Sequence, residues 1–406
     1  MKEIEGGIVS PKGFYSTGVK AGIKKDSLDM AAIYSEVPAS IAGTFTQNIV
    51  KAAPVVWDRK IVDDNLKSQL IIINSGIANA AVGTEGLKHC EETALEAEEI
   101  FNLDKNSVLL ASTGLIGAKL PMDKIINGVS LLRKNLNNSS ESANLTAEAI
   151  LTTDTKKKEI AVELELDNKI VKIAGICKGS GMIHPDMCTM LAFITTDISI
   201  DDLLLKKCTK EIVDDTFNMI SVDGDTSTND TVLVMANGLA KNNKITKETE
   251  EYNKFKDALK YVFTYLAKKI AEDGEGATKL FEVKVKGAST VKQAKKIAKS
   301  VVTSNLTKAA LFGNDANWGR IFCAMGYAGE HFDPLKVDLN FISTAGNIEI
   351  VKNGVAEKFN EEKAVEILSQ KEVLALIDLK EGNCEATAWG CDLTYEYVRI
   401  NGEYRS

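Results

Sequence analysis

The side chains best suited to chemistry lie in residues 178–197. In this segment a glycine-rich turn is followed by a hydroxyl residue and then by a predicted apolar strand. The stretch reads KGSGMIHPDMCTMLAFITTD, and Thr189 stands directly before its apolar run. A threonine hydroxyl is a weak nucleophile that needs an adjacent base. The α-amino group of the same residue, with a pKa of about 8, could act as that base near neutral pH.

A free amine on Thr189 requires that the peptide bond after Cys188 is broken. Gly179, Gly181 and Pro185 would allow a strained turn at this position. In such a turn the hydroxyl of Thr189 attacks the carbonyl of Cys188, and an N-to-O acyl shift and hydrolysis follow. A threonine at the start of a core strand also has a plain structural explanation, since β-branched residues favour strands. The residues alone leave both interpretations open.

The rest of the composition limits the other classes of function. Only three histidines occur, and none stands beside a nucleophile-elbow motif, so a Ser-His-Asp triad has few possible members. Seven cysteines without a C-x-x-C pair indicate reduced thiols. A net charge of −8 argues against nucleic-acid binding. With no apolar run long enough to span a bilayer, we expect a cytoplasmic protein.

Two further segments could contribute polar groups to a site. A predicted strand runs into Thr113-Gly114-Leu115-Ile116-Gly117, and a strand that ends in a small-residue turn and opens a helix can present N–H groups to an oxyanion. A plain strand-to-helix turn is the alternative. Glu272, Asp273 and Glu275 follow the end of a predicted helix, where acidic groups oppose the helix dipole. They are therefore candidates to bind an ammonium group, with solvation at the surface as the competing explanation.

The elements that must position these residues form a mixed pattern of strands and amphipathic helices. A chain of 406 residues predicts two or three domains, the last hundred residues forming a smaller α/β unit. Predicted strands cover 31–34, 40–45, 54–57, 69–74, 108–112, 190–195, 231–235 and 386–400, with a hairpin of 160–166 and 170–176. Predicted helices cover 87–101, 255–270 and 290–310.

The stretch 178–197 resembles the cleavage and nucleophile segment of the ornithine acetyltransferase family, the bifunctional glutamate N-acetyltransferases of arginine biosynthesis. Blocks similar to those of this family follow one another in order along essentially the whole chain. They are NSGIANA (74–80), STGLIG (112–117), TTDT (152–155), SVDGDTSTNDT (221–231), EGATK (275–279), GNDANWGRI (313–321) and CDLTYEYVRINGEYRS (391–406).

The resemblance implies an α+β fold, a layered α/β/β/α sandwich of the autoprocessing DmpA/ArgJ-like N-terminal-nucleophile type. Residues 1–280 would form the nucleophile core, and a smaller C-terminal α/β domain over 281–406 would complete the substrate site. Cleavage between Cys188 and Thr189 would give an α chain of residues 1–188 and a β chain of residues 189–406. Two chains of each kind would form a heterotetramer.

The resemblance also implies the roles of single residues. Thr189 would be the nucleophile, and Thr113 and Gly114 would form the oxyanion hole. Lys178 would pair with the α-carboxylate of the substrate, and Glu275 with the ammonium group of ornithine. The substrate-binding positions of the family correspond to Thr152, Lys178, Thr189, Glu275, Asn401 and Ser406.

The implied reaction is a ping-pong transfer of acetyl from N2-acetyl-L-ornithine to L-glutamate through an acetyl-threonine, without a metal or an organic cofactor. Some members of the family also use acetyl-CoA, and the sequence leaves that open here. Cys188 and Ser406 replace the alanine and threonine usual in the family; both are small, so we expect cleavage and binding to survive. An autoprocessing aminopeptidase or amidohydrolase of the same fold and an uncleaved binding module remain as alternatives.

Overall fold

Strands and helices alternate along residues 1–184 and 190–403, the parts of the chain that the computed structural model describes. The strands are β1 (Lys2–Ile4), β2 (Phe14–Val19), β3 (Met30–Phe45), β4 (Ser68–Ile77), β5 (Val108–Leu115), β6 (Lys158–Leu166), β7 (Lys169–Lys178), β8 (Leu191–Thr196), β9 (Thr231–Ala236), β10 (Leu280–Ala288), β11 (Asp338–Ser343), β12 (Gly346–Lys352), β13 (Val355–Ala356), β14 (Glu372–Asp378) and β15 (Cys384–Cys391). The helices are α1 (Ala53–Asp63), α2 (Glu85–Phe101), α3 (Met122–Asn135), α4 (Ser140–Ala149), α5 (Asp202–Asp215), α6 (Glu250–Glu272), α7 (Val291–Thr303), α8 (Asn305–Phe312), α9 (Trp318–Gly326), α10 (Glu361–Leu368) and α11 (Tyr395–Glu403).

The long strand β3 connects two layers of sheet. Its first half pairs with β2 and β4, and its second half pairs with β9. The strand order is therefore β1-β6-β7-β8-β9-β3-β4-β5, with β2 also on β3. The ladder between β3 and β4 shifts between Tyr34 and Ala39, and Pro38 lies in that gap. A proline has no N–H to donate, so it fits where pairing is interrupted.

Alternate residues of each strand face opposite layers of the molecule. Ile71 and Ile73 of β4 pack between the two sheet layers, with Phe193 of β8 and Leu233 of β9. The intervening Ile72 packs on the outer side in the cluster that holds the buried side chains of α2 and α3. Burial on both faces explains why the sequence of β4 is an almost continuous apolar run.

The outer face of the other layer packs against helices α5 and α6. Ile194 of β8 and Val234 of β9 share one apolar cluster with Ile212 of α5 and Leu259 of α6. The order of layers is thus helix, sheet, sheet, helix. The layered α/β/β/α fold expected from the sequence is confirmed.

A second sheet begins at Leu280 and has the strand order β13-β12-β11-β14-β10-β15. Strand β10 lies parallel to β14 and antiparallel to β15. Leu266 of α6, Val283 of β10 and Val301 of α7 belong to one apolar cluster, so the packing continues across the start of this sheet. The division into domains at residue 280 stays a prediction.

Several predicted elements differ in the structure. Residues 31–34 and 40–45 belong to the single strand β3. Residues 54–57 are the first turn of helix α1, where Pro54 loses no hydrogen bond because the first N–H groups of a helix have no intrahelical partner.

The C-terminal third also departs from the predictions. The helix predicted over 290–310 is two helices, α7 and α8, since the side chain of Ser304 accepts a hydrogen bond from the N–H of Thr307 and starts the second helix. The strand predicted over 386–400 ends at Cys391, and helix α11 follows it.

Candidate active site

A cleft of about 280 Å³ lies where β5, β7 and β8 meet the loop that precedes β9. Every described residue to which the family resemblance assigns a role lines this cleft, although these residues come from distant parts of the sequence. They are Thr113, Gly114, Thr152, Lys178, Glu275 and Asn401. The remaining predicted site residues, Cys188, Thr189 and Ser406, lie outside the described residues.

The chain enters and leaves the segment 185–189 at this cleft. Ile183 and Met190 both line it. The N–H of Ile183 donates to Oδ1 of Asp223 (2.9 Å), and the carbonyl of His184 accepts from Oγ1 of Thr226 (2.8 Å). The carbonyl of Met190 accepts from the N–H of Thr231 (2.9 Å). Both flanks of the segment that contains the predicted nucleophile are therefore fixed by hydrogen bonds, one to the loop that precedes β9 and one to the first residue of β9.

Thr113 and Gly114 lie within strand β5, which corrects the prediction of a turn that opens a helix. Their parallel partners on β4 are Ser75 and Gly76, and helix α3 begins only at Met122. A side chain on Gly114, which has a φ of 126°, would overlap the backbone of Gly76. The close approach of the two strands therefore requires glycine at this point, and any oxyanion donors here come from a strand end and not from a helix terminus.

Lys178, the last residue of β7, contributes an ammonium group to the cleft. Its Nζ donates to Oγ1 of Thr152 (2.7 Å) and to Oγ1 of Thr113 (3.4 Å). It also lies 3.7 Å from Oδ2 of Asp154. One cation thus joins three segments of the cleft, and it can pair with an anionic ligand group.

Asp154 organises this cation, although the sequence interpretation did not single it out. Its carboxylate is fully buried and accepts from the N–H of Gly179 (2.6 Å) and from that of Thr152 (3.1 Å). Nζ of Lys158 lies 2.7 Å from Asp154 and 2.6 Å from Asp273. Asp154 belongs to the TTDT block, which was the only signal in the sequence.

The charges of this buried group stabilise one another. Burial alone would raise the pKa of Asp154, but the ammonium groups of Lys178 and Lys158 hold it well below its usual range. Burial would lower the pKa of Lys158, and the carboxylates of Asp154 and Asp273 raise it instead. Asp154 and Lys158 are therefore both charged at neutral pH.

Among the three acidic candidates at the end of α6, the structure places Glu275 in the cleft. Its Oε2 accepts from Nδ2 of Asn401 (2.8 Å), and its N–H donates to the carbonyl of Ser180 (3.0 Å). Glu272 instead pairs with Lys269 (2.6 Å). Asp273 pairs with Lys158, as described above.

Gly181 leaves the room that the carboxyl group of Glu275 occupies. A Cβ atom on Gly181 would overlap that carboxyl group. Glycine at this position is therefore required by packing against Glu275 as well as by the flexibility of the turn.

Within residues 1–184 and 190–403, no three histidine, cysteine, aspartate or glutamate side chains are placed to hold a metal ion. The cysteines of those ranges are free thiols. Among the helices described above, none has the length and apolar character needed to cross a bilayer.

Known proteins are similar in sequence to essentially the whole chain. Residues 15–406 match the model of the ArgJ family. The arginine biosynthesis bifunctional protein ArgJ of Caldanaerobacter subterraneus subsp. tengcongensis is 48% identical over 406 residues, covering 100% of both chains. ArgJ 1 of Clostridium acetobutylicum is 50% identical over 395 residues, covering 97% of this chain and 96% of its own.

A solved structure shows the same similarity. The crystal structure of the arginine biosynthesis bifunctional protein ArgJ from Bacillus halodurans matches with a TM-score of 0.51 and 47% identity, covering 53% of this chain and 100% of that one. Layered fold, cleft and sequence together place the chain in a family of arginine-biosynthesis proteins. The chain belongs to the ArgJ family, and the family expected from the motifs is confirmed.

Proposed function

We propose that this protein is a glutamate N-acetyltransferase of arginine biosynthesis, which moves the acetyl group of N2-acetyl-L-ornithine to L-glutamate. The observation that carries the proposal is a single cleft that combines a fixed cation, Lys178, with a carboxylate, Glu275. A cation suits the α-carboxylate of an amino acid, and a carboxylate suits the side-chain ammonium group of ornithine. The names of the relatives point to the same pathway.

In the proposed first half-reaction, the hydroxyl of Thr189 attacks the acetyl carbonyl of N2-acetylornithine, and its proton passes to the α-amino group of the same residue. Donors at Thr113 and Gly114 stabilise the oxyanion, each contributing about 3 kcal/mol. The amide bond then breaks, ornithine leaves with a proton on its nitrogen, and an acetyl ester remains on Thr189. In the second half, the neutral amine of glutamate attacks the ester carbonyl and loses a proton. The ester bond to Thr189 then breaks, the Thr189 oxygen takes up a proton through the α-amino group, and N-acetylglutamate leaves.

Self-cleavage at Cys188–Thr189 is part of this proposal, because the base is the amine that cleavage releases. The solved chain from Bacillus halodurans supports it: that chain is matched over its whole length, yet it covers only 53% of this one. A β chain that begins at residue 189 would be a little over half of the 406 residues. A solved chain of that length is what cleavage at this bond leads us to expect.

The decisive experiment measures product formation from N2-acetylornithine with and without glutamate. We expect N-acetylglutamate and ornithine in equal amounts when glutamate is present, and at most one ornithine per enzyme when it is absent. Continuous release of acetate without glutamate would contradict the transferase and would favour the amidohydrolase of the same fold. A chain that stays uncleaved and inactive would favour the binding module.

Three further features belong to the same proposal. Acetyl-CoA is a second acetyl donor, a suggestion based on the word "bifunctional" in the names of the relatives. It is tested by supplying acetyl-CoA and glutamate without N2-acetylornithine.

Two α and two β chains assemble into a heterotetramer, which light scattering on the purified protein checks. The protein acts in the cytoplasm, in keeping with the free thiols.

Changing Glu275 to glutamine should weaken binding of N2-acetylornithine about tenfold to a hundredfold, because a charge-assisted hydrogen bond of about 1.5–3 kcal/mol becomes a neutral one. The KM for glutamate should not rise, since its side-chain carboxylate gains nothing from a second carboxylate. Steady-state kinetics with each substrate varied in turn separates the two effects. Glu272→Gln is the matched control, because Glu272 pairs with Lys269. Equal losses for both substrates would contradict the role of Glu275.

Changing Gly181 to alanine should have a similar but smaller effect, about a tenfold rise in the KM for N2-acetylornithine. The new methyl group would displace the flexible end of Glu275, so the fold should tolerate it. Gly326→Ala is the control, since nothing lies within 4 Å of a Cβ there. If the KM for N2-acetylornithine were the same in Gly181→Ala and in wild type, the position of the Glu275 carboxyl group beside Gly181 would not matter for binding.

A further inference from the structure

Asn229 holds together the two strand ends behind the proposed oxyanion hole. Its Nδ2 donates to the carbonyl of Ser112 (2.7 Å) and to the carbonyl of Ala78 (2.6 Å). Ser112 precedes Thr113 on β5, and Ala78 follows β4. One side-chain amide thus connects the residue of β5 that precedes Thr113 to the residue that follows β4.

The orientation of this amide follows from its partners. Carbonyl oxygens only accept hydrogen bonds, so the NH₂ group must face them. The amide oxygen, Oδ1, accepts from Oγ1 of Thr228 (2.6 Å), which holds the other end. The side chain is almost fully buried, with Asn229 only 7% exposed. Its amide therefore has one well-defined position.

The hydrogen bond to the carbonyl of Ser112 determines the orientation of the peptide group between Ser112 and Thr113. A trans peptide is planar, so fixing the carbonyl of Ser112 fixes the whole plane that ends at the nitrogen of Thr113. The hydroxyl of Ser112 also donates to Oδ1 of Asn74 (2.6 Å), so this residue is held at two points. One residue further on, Gly114 packs so closely on Gly76 that a side chain would not fit.

We infer that Asn229 is a positioning residue that sets the geometry of the oxyanion donors at Thr113 and Gly114. The inference rests on the proposed function, which gives those donors their role. Oxyanion donors act mainly in the transition state, so their misplacement lowers kcat more than it raises KM. Asn229 therefore controls the rate of acetyl transfer without contributing to the affinity for ornithine.

The test compares Asn229→Asp with Asn242→Asp. Asn242 is also buried and also joins two backbone carbonyls through its Nδ2, those of Ser199 (3.2 Å) and Asn243 (2.8 Å), but it does not line the cleft. Both variants keep the volume and lose the donors. Asn229→Asp should lower kcat about tenfold to a hundredfold, with the KM for N2-acetylornithine and the Kd for ornithine within about threefold of wild type. Asn242→Asp should keep the wild-type kcat.

A second variant and a second measurement keep the inference testable if Asn229→Asp folds poorly. Thr228→Val removes the hydroxyl that holds Oδ1 and should lower kcat in the same direction but less. Hydrogen exchange of the segment 112–117 should become faster in Asn229→Asp and stay unchanged in Asn242→Asp, whether or not the enzyme turns over.

The possible outcomes separate this inference from the proposed function. Wild-type kcat in both Asn229→Asp and Thr228→Val would overturn the inference, and so would a loss of kcat matched by an equal loss of ornithine affinity. Unchanged exchange in 112–117 would also overturn it. Wild-type protein that is cleaved but never turns over N2-acetylornithine would instead remove the proposed function, and the exchange data would still decide whether Asn229 holds the strand.

Discussion

Replacing Thr189 with alanine is expected to abolish both self-cleavage and acetyl transfer. One hydroxyl group serves both reactions in the proposed mechanism, so both must disappear together. Loss of a covalent nucleophile costs on the order of a millionfold in kcat. On a denaturing gel, Thr189→Ala should give a single band at the full mass of 44.0 kDa, whereas the wild type should give two fragments.

The matched control for this experiment is the neighbouring position. Cys188→Ala restores the residue usual in the family and leaves the nucleophile in place, so it should be cleaved and active. N-terminal sequencing of the C-terminal fragment of the wild type should give Thr189 as its first residue. Cleavage of Thr189→Ala at the same bond, or a wild-type fragment that starts elsewhere, would contradict the mechanism.

Replacing Asp154 with asparagine should lower the free energy of unfolding by about 3 kcal/mol, the typical cost of breaking a buried ion pair. The carboxylate of Asp154 is buried beside the ammonium groups of Lys158 and Lys178. Its loss would leave more positive than negative charge in a part of the protein that is largely shielded from water. Acetyl transfer should fall as well, because Asp154 helps to hold Lys178 in the cleft. Urea unfolding on the Thr189→Ala background measures the stability of one intact chain.

Asp58 provides a control with opposite electrostatics. It is also fully buried, but among the described residues its Oδ1 accepts only from the N–H of Leu110 (2.8 Å) and its Oδ2 has no partner. Burial raises the pKa of Asp58 well above its ordinary value, in the opposite direction from the shift at Asp154. Asp58→Asn should therefore lower the free energy of unfolding by less than Asp154→Asn does, because it removes no ion pair among the described residues.

The two aspartates also predict opposite dependences on pH. The pKa of Asp154 is lower in the folded protein, so its contribution is fully present above the unfolded value of about 3.9 and is lost as the pH falls through the folded pKa. The pKa of Asp58 is raised, so its contribution decreases as the pH rises above about 3.9. Raising the pH from about 3 to about 6 should therefore increase the loss in free energy of unfolding that Asp154→Asn causes relative to wild type. The same change of pH should decrease the loss that Asp58→Asn causes. Parallel pH profiles of the two variants would show that the charge of Asp154 is not what stabilises the fold.

Elements with a local signal could be predicted from the sequence. The hairpin of β6 and β7 turns at Asp167 and Asn168, whose φ values of 51° and 58° suit these two residue types. Strands β8 and β9 and helices α2 and α6 also lie close to their predicted ranges. In each case the pattern of neighbouring residues determines the element.

Features that depend on distant segments could not be predicted in this way. The continuous strand β3 passes Pro38 because two different partners pair with its two halves. The site depends even more on such contacts, since Asp154 meets Lys178 and Gly181 meets Glu275 only after folding. No spacing in the sequence indicates that Asn229 binds the carbonyls of Ala78 and Ser112.

The strand order affects how the cleaved enzyme would refold after unfolding. Strands β8 and β9, which follow residue 189, lie side by side between β7 and β3, which precede it. After the proposed cleavage, one polypeptide would be inserted into the sheet of the other, without a covalent link. The precursor can reassemble by a unimolecular process, but the two fragments must first meet, so their recovery from denaturant would depend on protein concentration. The mature enzyme would then owe its persistence in dilute solution to slow unfolding as much as to equilibrium stability.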